Sequence, residues 1–217
     1  MPRLAALAGL LCLPPAASAE ITVTGFVQQN TAFNTAGANP DGQHHKWLEE
    51  RAGLQLDASS NALRLVVKGE LAYDHLGRNG ESEIREGYVD HAAGNWDLRV
   101  GRQVITWGLG DLVCVNDVFP TDQEALAAGR PLEYLKLGVD AVKLGAYPEF
   151  ASFEMVLARF RESRIPDPSR FHLYGPVPAA TDRDTDKPDQ GDVALRVYRD
   201  VAGWDAALYF YRGFQRT

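Results

Sequence analysis

Nine segments of this chain alternate apolar and polar residues, and the connections between them alternate short and long. A period of two is the repeat of a β-strand, whose successive side chains point to opposite faces. The first segment sets Ile21, Val23, Gly25 and Val27 against Thr22, Thr24, Gln28 and Asn30. The second sets Ala52, Leu54 and Leu56 against Glu49, Arg51, Gln55 and Asp57. The third has Leu63, Leu65, Val67, Leu71 and Tyr73 opposite Arg64, Lys68, Glu70 and Asp74. A fourth, around Ile84 to Ala92, is blurred, because Arg85, Glu86, Asp90 and His91 put charge on both faces. The pattern returns with Trp96, Leu98 and Val100 against Asp97, Arg99 and Gln103. It continues through Val142 and Leu144 against Lys143, then Phe153, Met155 and Leu157 against Glu154. The last two segments set Val193, Leu195 and Val197 against Arg196 and Tyr198, and Trp204, Ala206, Leu208 and Phe210 against Asp205, Tyr209 and Tyr211.

Ser59-Ser60-Asn61, Ala93-Gly94-Asn95, the Pro148-Glu149 region and Ala202-Gly203 are tight turns. Long polar connections fall between them, at Thr35 to Lys46, His75 to Ser82, Trp107 to Val139 and Arg161 to Gly191. Short turns at one end and long loops at the other are the habit of an outer-membrane β-barrel. The expected fold is therefore all-β, an antiparallel up-and-down transmembrane β-barrel. Trp47, Trp96, Trp204 and Phe214, near strand ends, fit interfacial aromatic girdles. A soluble secreted β-sandwich also alternates and stays open as an alternative, although its loops have no reason to segregate by length. Bacterial single-chain barrels have an even number of strands and must close. Nine strands thus lead to the expectation of the N-terminal part of a larger barrel.

The N-terminus agrees with export. Arg3 precedes an apolar run from Leu4 to Leu13, and Ala17-Ser18-Ala19 precedes Glu20. This predicts a signal peptide over residues 1–19, too short to span a bilayer. Its removal would take Cys12 and leave Cys114 as a single cysteine, so an internal disulfide framework is excluded. Loss of Arg3 reduces 22 basic residues to 21 against 29 acidic, a net charge of −8. Such a balance argues against a nucleic-acid partner. No stretch after Glu20 reaches the roughly 18 apolar residues of a membrane helix.

The longest structured-looking connection begins GRQVITWGLGDLVCVNDVFPTDQ at Gly101. Its middle carries Leu112, Val113, Val115, Val118, Phe119 and Leu126, which an aqueous loop would not bury. The predicted arrangement folds residues 107–139 inward as a constriction lined by Arg102, Trp107, Asp111, Asp117, Asp122, Arg130, Glu133 and Lys136. The run Gly101-Arg102-Gln103, Trp107-Gly108, Asp111, Asn116 to Pro120 and Glu133 to Lys136 resembles a segment of porin-like proteobacterial outer-membrane barrels, related in style to alginate-export channels. The resemblance is densest over residues 100–147. It implies a barrel of about twice this length and says little about a solute.

Lumen-facing candidates are Arg51, Arg64, Lys68, Glu70, Arg99, Lys143, Glu154 and Arg196. Such charges either set ion preference or pair across neighbouring strands. The loop Asp182 to Asp192 has alternate carboxylates, but Val193 replaces the glutamate an EF-hand needs at its twelfth position. His44-His45 has no matching ligand spacing for a metal. No G-x-S-x-G elbow, phosphate loop or H-E-x-x-H helix is present. The expectation is a non-enzymatic, cofactor-free porin-like channel for small hydrophilic or anionic solutes, contacting outer-membrane lipid and lipopolysaccharide. A plugged barrel whose outer loops bind a partner is the alternative.

Overall fold

A computed structural model describes residues 20–35, 37, 39, 41–107, 118–167, 170–171 and 191–214. The predicted signal peptide, Cys114 and residues 182–190 of the acidic loop lie outside the described residues. Nine antiparallel strands form one sheet in sequence order, each bonded to its chain neighbour. They are β1 (Glu20–Phe33), β2 (His45–Ser60), β3 (Leu63–Asp74), β4 (Asn79–Ala93), β5 (Trp96–Gln103), β6 (Val139–Ala146), β7 (Ser152–Ala158), β8 (Asp192–Val201) and β9 (Trp204–Arg212). The fold is thus all-β and up-and-down, and β1 and β9 pair on one side only among the described residues.

The two faces follow the alternation. Ile21, Val27, Leu54, Leu71, Leu208 and Phe210 are exposed on one face. Glu49, Arg51, Glu70, Gln103 and Asp192 are buried on the other. The blurred fourth segment has a local cause. Lys68 is opposite Glu86 while Gly69 is opposite Ile84, so Arg85 is an extra residue at a β-bulge. Ile84 and Val89, an odd number of residues apart, both stay on the apolar face, and Arg85 and Tyr88 both turn to the polar one.

The register shears evenly. One row runs Ser59, Arg64, Asp90, Arg99, Lys143, Val156, Ala194 and Tyr211 across β2 to β9. The distance along the chain from this row to the middle of the short turn grows by two residues at each successive hairpin, from Arg64 and Asn61–Ala62 to Ala194 and Ala202–Gly203. That is one residue of shear per strand. With a rise of about 3.3 Å and a spacing of about 4.8 Å, the strands tilt by about 35° from the normal to the line of turns.

Levelled on those turns, one tier of the apolar face from β2 to β9 reads Leu56, Val67, Val89, Val100, Leu144, Met155, Val197 and Leu208. The tier above reads Leu54, Gly69, Gly87, Arg102, Val142, Leu157, Leu195 and Phe210. Trp96 and Trp204 stand at the turn end, and Tyr73 and Phe214 stand ten residues higher. At this tilt those aromatics are about 27 Å apart along the normal. Trp47 departs from the girdle expectation: it is 4% exposed and lies on the polar face against Phe171, because its register partner is Ala32 of that same face.

Candidate functional site

The connection between β5 and β6 lies on the polar face. Thr121 bridges to Lys136, and Asp122 bridges to Arg164 of the connection after β7, so two long loops are knitted together. Arg164 donates its backbone N–H to Thr121 O at 2.9 Å, and Gln123 donates to Arg164 O at 2.9 Å. A short helix α1 (Gln123–Ala127) is capped by Asp122, whose carboxylate accepts from the Ala125 N–H at 2.9 Å. Gly129 (φ 69°) then takes the left-handed position that ends the helix. A 3-10 turn over Leu132–Leu135 follows. Five residues are too few for a helical repeat to be read, and only the Asp cap and the Gly stop mark this helix in the sequence.

Six guanidiniums and six carboxylates hold these loops to the sheet. Arg51 pairs with Glu49 at 3.2 Å and Glu70 at 2.7 Å. Arg130 pairs with Glu49 and stands 3.8 Å from Asp122. Arg164 joins Asp122 at 3.2 Å to Glu81 at 2.6 Å. Arg85 reaches Glu70 at 3.6 Å, Arg161 reaches Glu83 at 2.6 Å, and Arg170 reaches Asp74 at 2.7 Å. Tyr134 donates its hydroxyl to Glu70 at 3.4 Å, and the guanidiniums of Arg51 (4.9 Å) and Arg85 (4.1 Å) both stand over its ring. Arg130 and Arg170 both stand over the Trp47 ring, at 5.0 and 4.6 Å. The matched charges let buried guanidiniums and carboxylates coexist, which neither set does alone.

Burial pushes the Asp122 carboxyl above its ordinary value, against the pull of Arg164. Burial, with the nearby charge of Glu70, pushes Tyr134 up to about 12. The cavity between loop and sheet, lined by Arg51, Arg85, Asp122, Arg130, Tyr134 and Lys136 among others, has a volume of about 10 Å³. It has room for about one water. Gly138 passes directly over the bulge, where an added Cβ would fall 2.1 Å from the Arg85 carbonyl oxygen.

Of the predicted constriction residues, Asp122, Arg130, Glu133 and Lys136 all lie on this loop against the polar face. Glu133 pairs with Lys68 at 3.2 Å. Trp107, 3% exposed, packs edge-on to Phe119 at 5.2 Å and against Tyr209 at 5.9 Å. Asp111 and Asp117 lie outside the described residues. Arg102 is a correction. It shares the apolar face with Val100 and Val142 and pairs there with Asp140 at 2.8 Å, because strand β5 runs in register through Gln103 and parity fixes its side.

The predicted inward charges are all on the polar face, and cross-strand pairing accounts for most of them. Arg64 pairs with Asp57, Arg99 with Asp90 at 2.5 Å, and Lys143 and Arg196 approach Glu154 at 3.6 and 3.7 Å. Sequence reasoning missed Arg161, Arg164 and Arg170. Their signal was present as the arginine spacing in RFRESRIPDPSR, at the start of what reads as a plain polar loop. Among the described residues no group of three or more His, Cys, Asp or Glu could hold a metal ion. No helix of the described residues is long and apolar enough to cross a membrane, which says nothing of crossing by strands. Comparison with protein-family models, with curated proteins and with solved structures finds no match to this chain.

Proposed function

We propose that this chain is part of an outer-membrane β-barrel that acts as a porin-like channel for small hydrophilic or anionic solutes, with the loop between β5 and β6 lying in the lumen. One observation carries the reading: one tier levelled on the short turns is apolar around eight consecutive strands, and the tier above it is apolar or glycine at every strand but the fifth, where Arg102 stands, while charge is buried on the opposite face. An exposed apolar surface continuous over eight strands has no place in water, where apolar patches above a few hundred Å² are rare. In lipid it is the expected outer wall, and aromatics about 27 Å apart suit a band about 25 Å tall. The shear of one residue per strand is also what a closing sheet requires. The resemblance of residues 100–147 to porin-like barrels points the same way.

Selectivity in this reading comes from lumen width and loop charge, with no cofactor. The paired inward charges leave little net field to sort ions by sign. A second reading, a plugged binding barrel, is favoured by the small cavity left between loop and sheet. Planar-bilayer recording of the complete barrel that contains this chain separates the two. A channel conducts, and deletion of residues 111–133 raises its unitary conductance. A wild type that passes no current while the deletion variant conducts supports the plug. Absence of current from both overturns the channel reading.

A further inference from the structure

Arg102 is where a charge is least expected. It sits in the upper apolar tier, and Asp140 and Arg159 stand next to it on β6 and at the end of β7. Arg102 and Asp140 are register partners, and Arg159 donates its backbone N–H to Asp140 O at 2.9 Å, so the three form one row across three strands. Arg102 binds Asp140 through Nε at 2.8 Å and Nη2 at 3.2 Å, and its Nη1 reaches Ile84 O at 3.3 Å. Asp140 is thereby neutralised. Arg159 is exposed, and among the described residues its guanidinium takes no ion pair or hydrogen bond. Below the row come Val142 and Leu157, then Leu144 and Met155.

An open groove of about 530 Å³ lies at this row, lined by Arg102, Asp140, Arg159, Phe160, Arg161 and Glu162 together with Gly138. Resting on the barrel reading, this puts a cationic groove at the long-loop end of the apolar belt, with Arg102, Asp140 and Arg159 on its outward side and Arg161 and Gly138 on the side of the loop. A charge deep in the hydrocarbon is costly, but arginine at the interface extends its head toward the polar layer. Its planar fork matches phosphate oxygens two at a time. We infer that the row is a lipid-headgroup site: Arg159, with the outer edge of Arg102, clamps a phosphate of an outer-leaflet glycolipid. The acyl chains of that lipid then lie along Val142, Leu157, Leu144 and Met155.

The complete barrel that contains this chain is incorporated into phosphatidylcholine nanodiscs, and bound bisphosphorylated lipid A is measured by native mass spectrometry against its dephosphorylated form. The inference predicts about tenfold weaker retention of the dephosphorylated lipid. It predicts a similar loss for Arg159→Gln, which leaves the Arg102–Asp140 pair intact and so does not threaten the fold. Arg199→Gln, an exposed arginine on the same face near the short turns, keeps wild-type retention. Equal retention of both lipids, or by Arg159→Gln and wild type, overturns the headgroup site. Full displacement by millimolar inorganic phosphate overturns it in favour of a free-anion site. A complete barrel containing this chain that fails to enter nanodiscs brings down the barrel reading and the site together, whereas one that enters but ignores lipid phosphorylation brings down the site alone.

Discussion

Arg130→Met tests the link between the ion-pair network and the loop it holds. The guanidinium is 3% exposed, pairs with Glu49 whose side chain is 2% exposed, and stands over Trp47. Methionine keeps much of the volume and contact with the ring but leaves Glu49 with one cation, Arg51. Breaking a buried pair by removing one partner costs about 3–5 kcal/mol. Arg51 still pairs with Glu49, which puts the expected cost at the lower end, about 3 kcal/mol. The strands retain their own hydrogen-bond ladders, so this cost falls on docking of residues 118–138 and not on the sheet. A loss of about 3 kcal/mol raises the undocked population roughly 150-fold. Hydrogen exchange of the Ala125, Ala128 and Arg130 amides, all bonded within the loop, should speed up by about that factor in the variant. Unchanged exchange there, or equal acceleration across β2 and β3, would refute a network that serves to latch the loop.

Gly138→Ala should also loosen the loop, because the new Cβ meets the Arg85 carbonyl oxygen at 2.1 Å and backbone must move; proteolysis at residues 118–138 reports it, and wild-type resistance would contradict the close approach. Tyr134→Phe should remove from the ultraviolet titration a phenol that ionises at about 12, not at the usual 10. By linkage, the stability Tyr134 contributes is present below pH 10 and is lost as pH rises through about 12, so the phenylalanine variant should resist alkaline loop release better than the wild type. Asp122, whose carboxyl is raised by burial, binds its proton more tightly when folded. Loop protection should therefore fall as pH rises through its folded pKa, and Asp122→Asn, which can still cap α1, should flatten that dependence.

Strand positions and faces were legible because each side chain of a strand reports its face directly, and a one-residue slip would invert every face. The blurred segment was unreadable as one period because the bulge at Arg85 changes parity within it. Trp47 misled because a tryptophan near a strand end suits either an interface or a cation-covered interior, and only the register with Ala32 decides. Arg102 misled for a related reason: its neighbour in the GRQ motif, Gln103, is fully buried on the polar face, and adjacent residues on a strand cannot share a face. Of the loop's apolar residues that suggested burial, Phe119 packs on Trp107 but Leu126 is exposed, so the loop's place on the polar face was only partly legible. The latch was not, since Arg164 and Glu81 are 83 residues apart and no local pattern pairs them.

The central claim is that one face of this sheet meets lipid and the other a polar lumen. Single cysteines are placed in turn at Leu195, Arg196, Val197 and Tyr198 of β8, in a background with Cys114 replaced by serine, and each is labelled with a polarity-sensitive fluorophore in vesicles that hold the complete barrel. Quenching is expected by brominated lipid at Leu195 and Val197 and by aqueous iodide at Arg196 and Tyr198. Aqueous quenching at all four positions would contradict the claim.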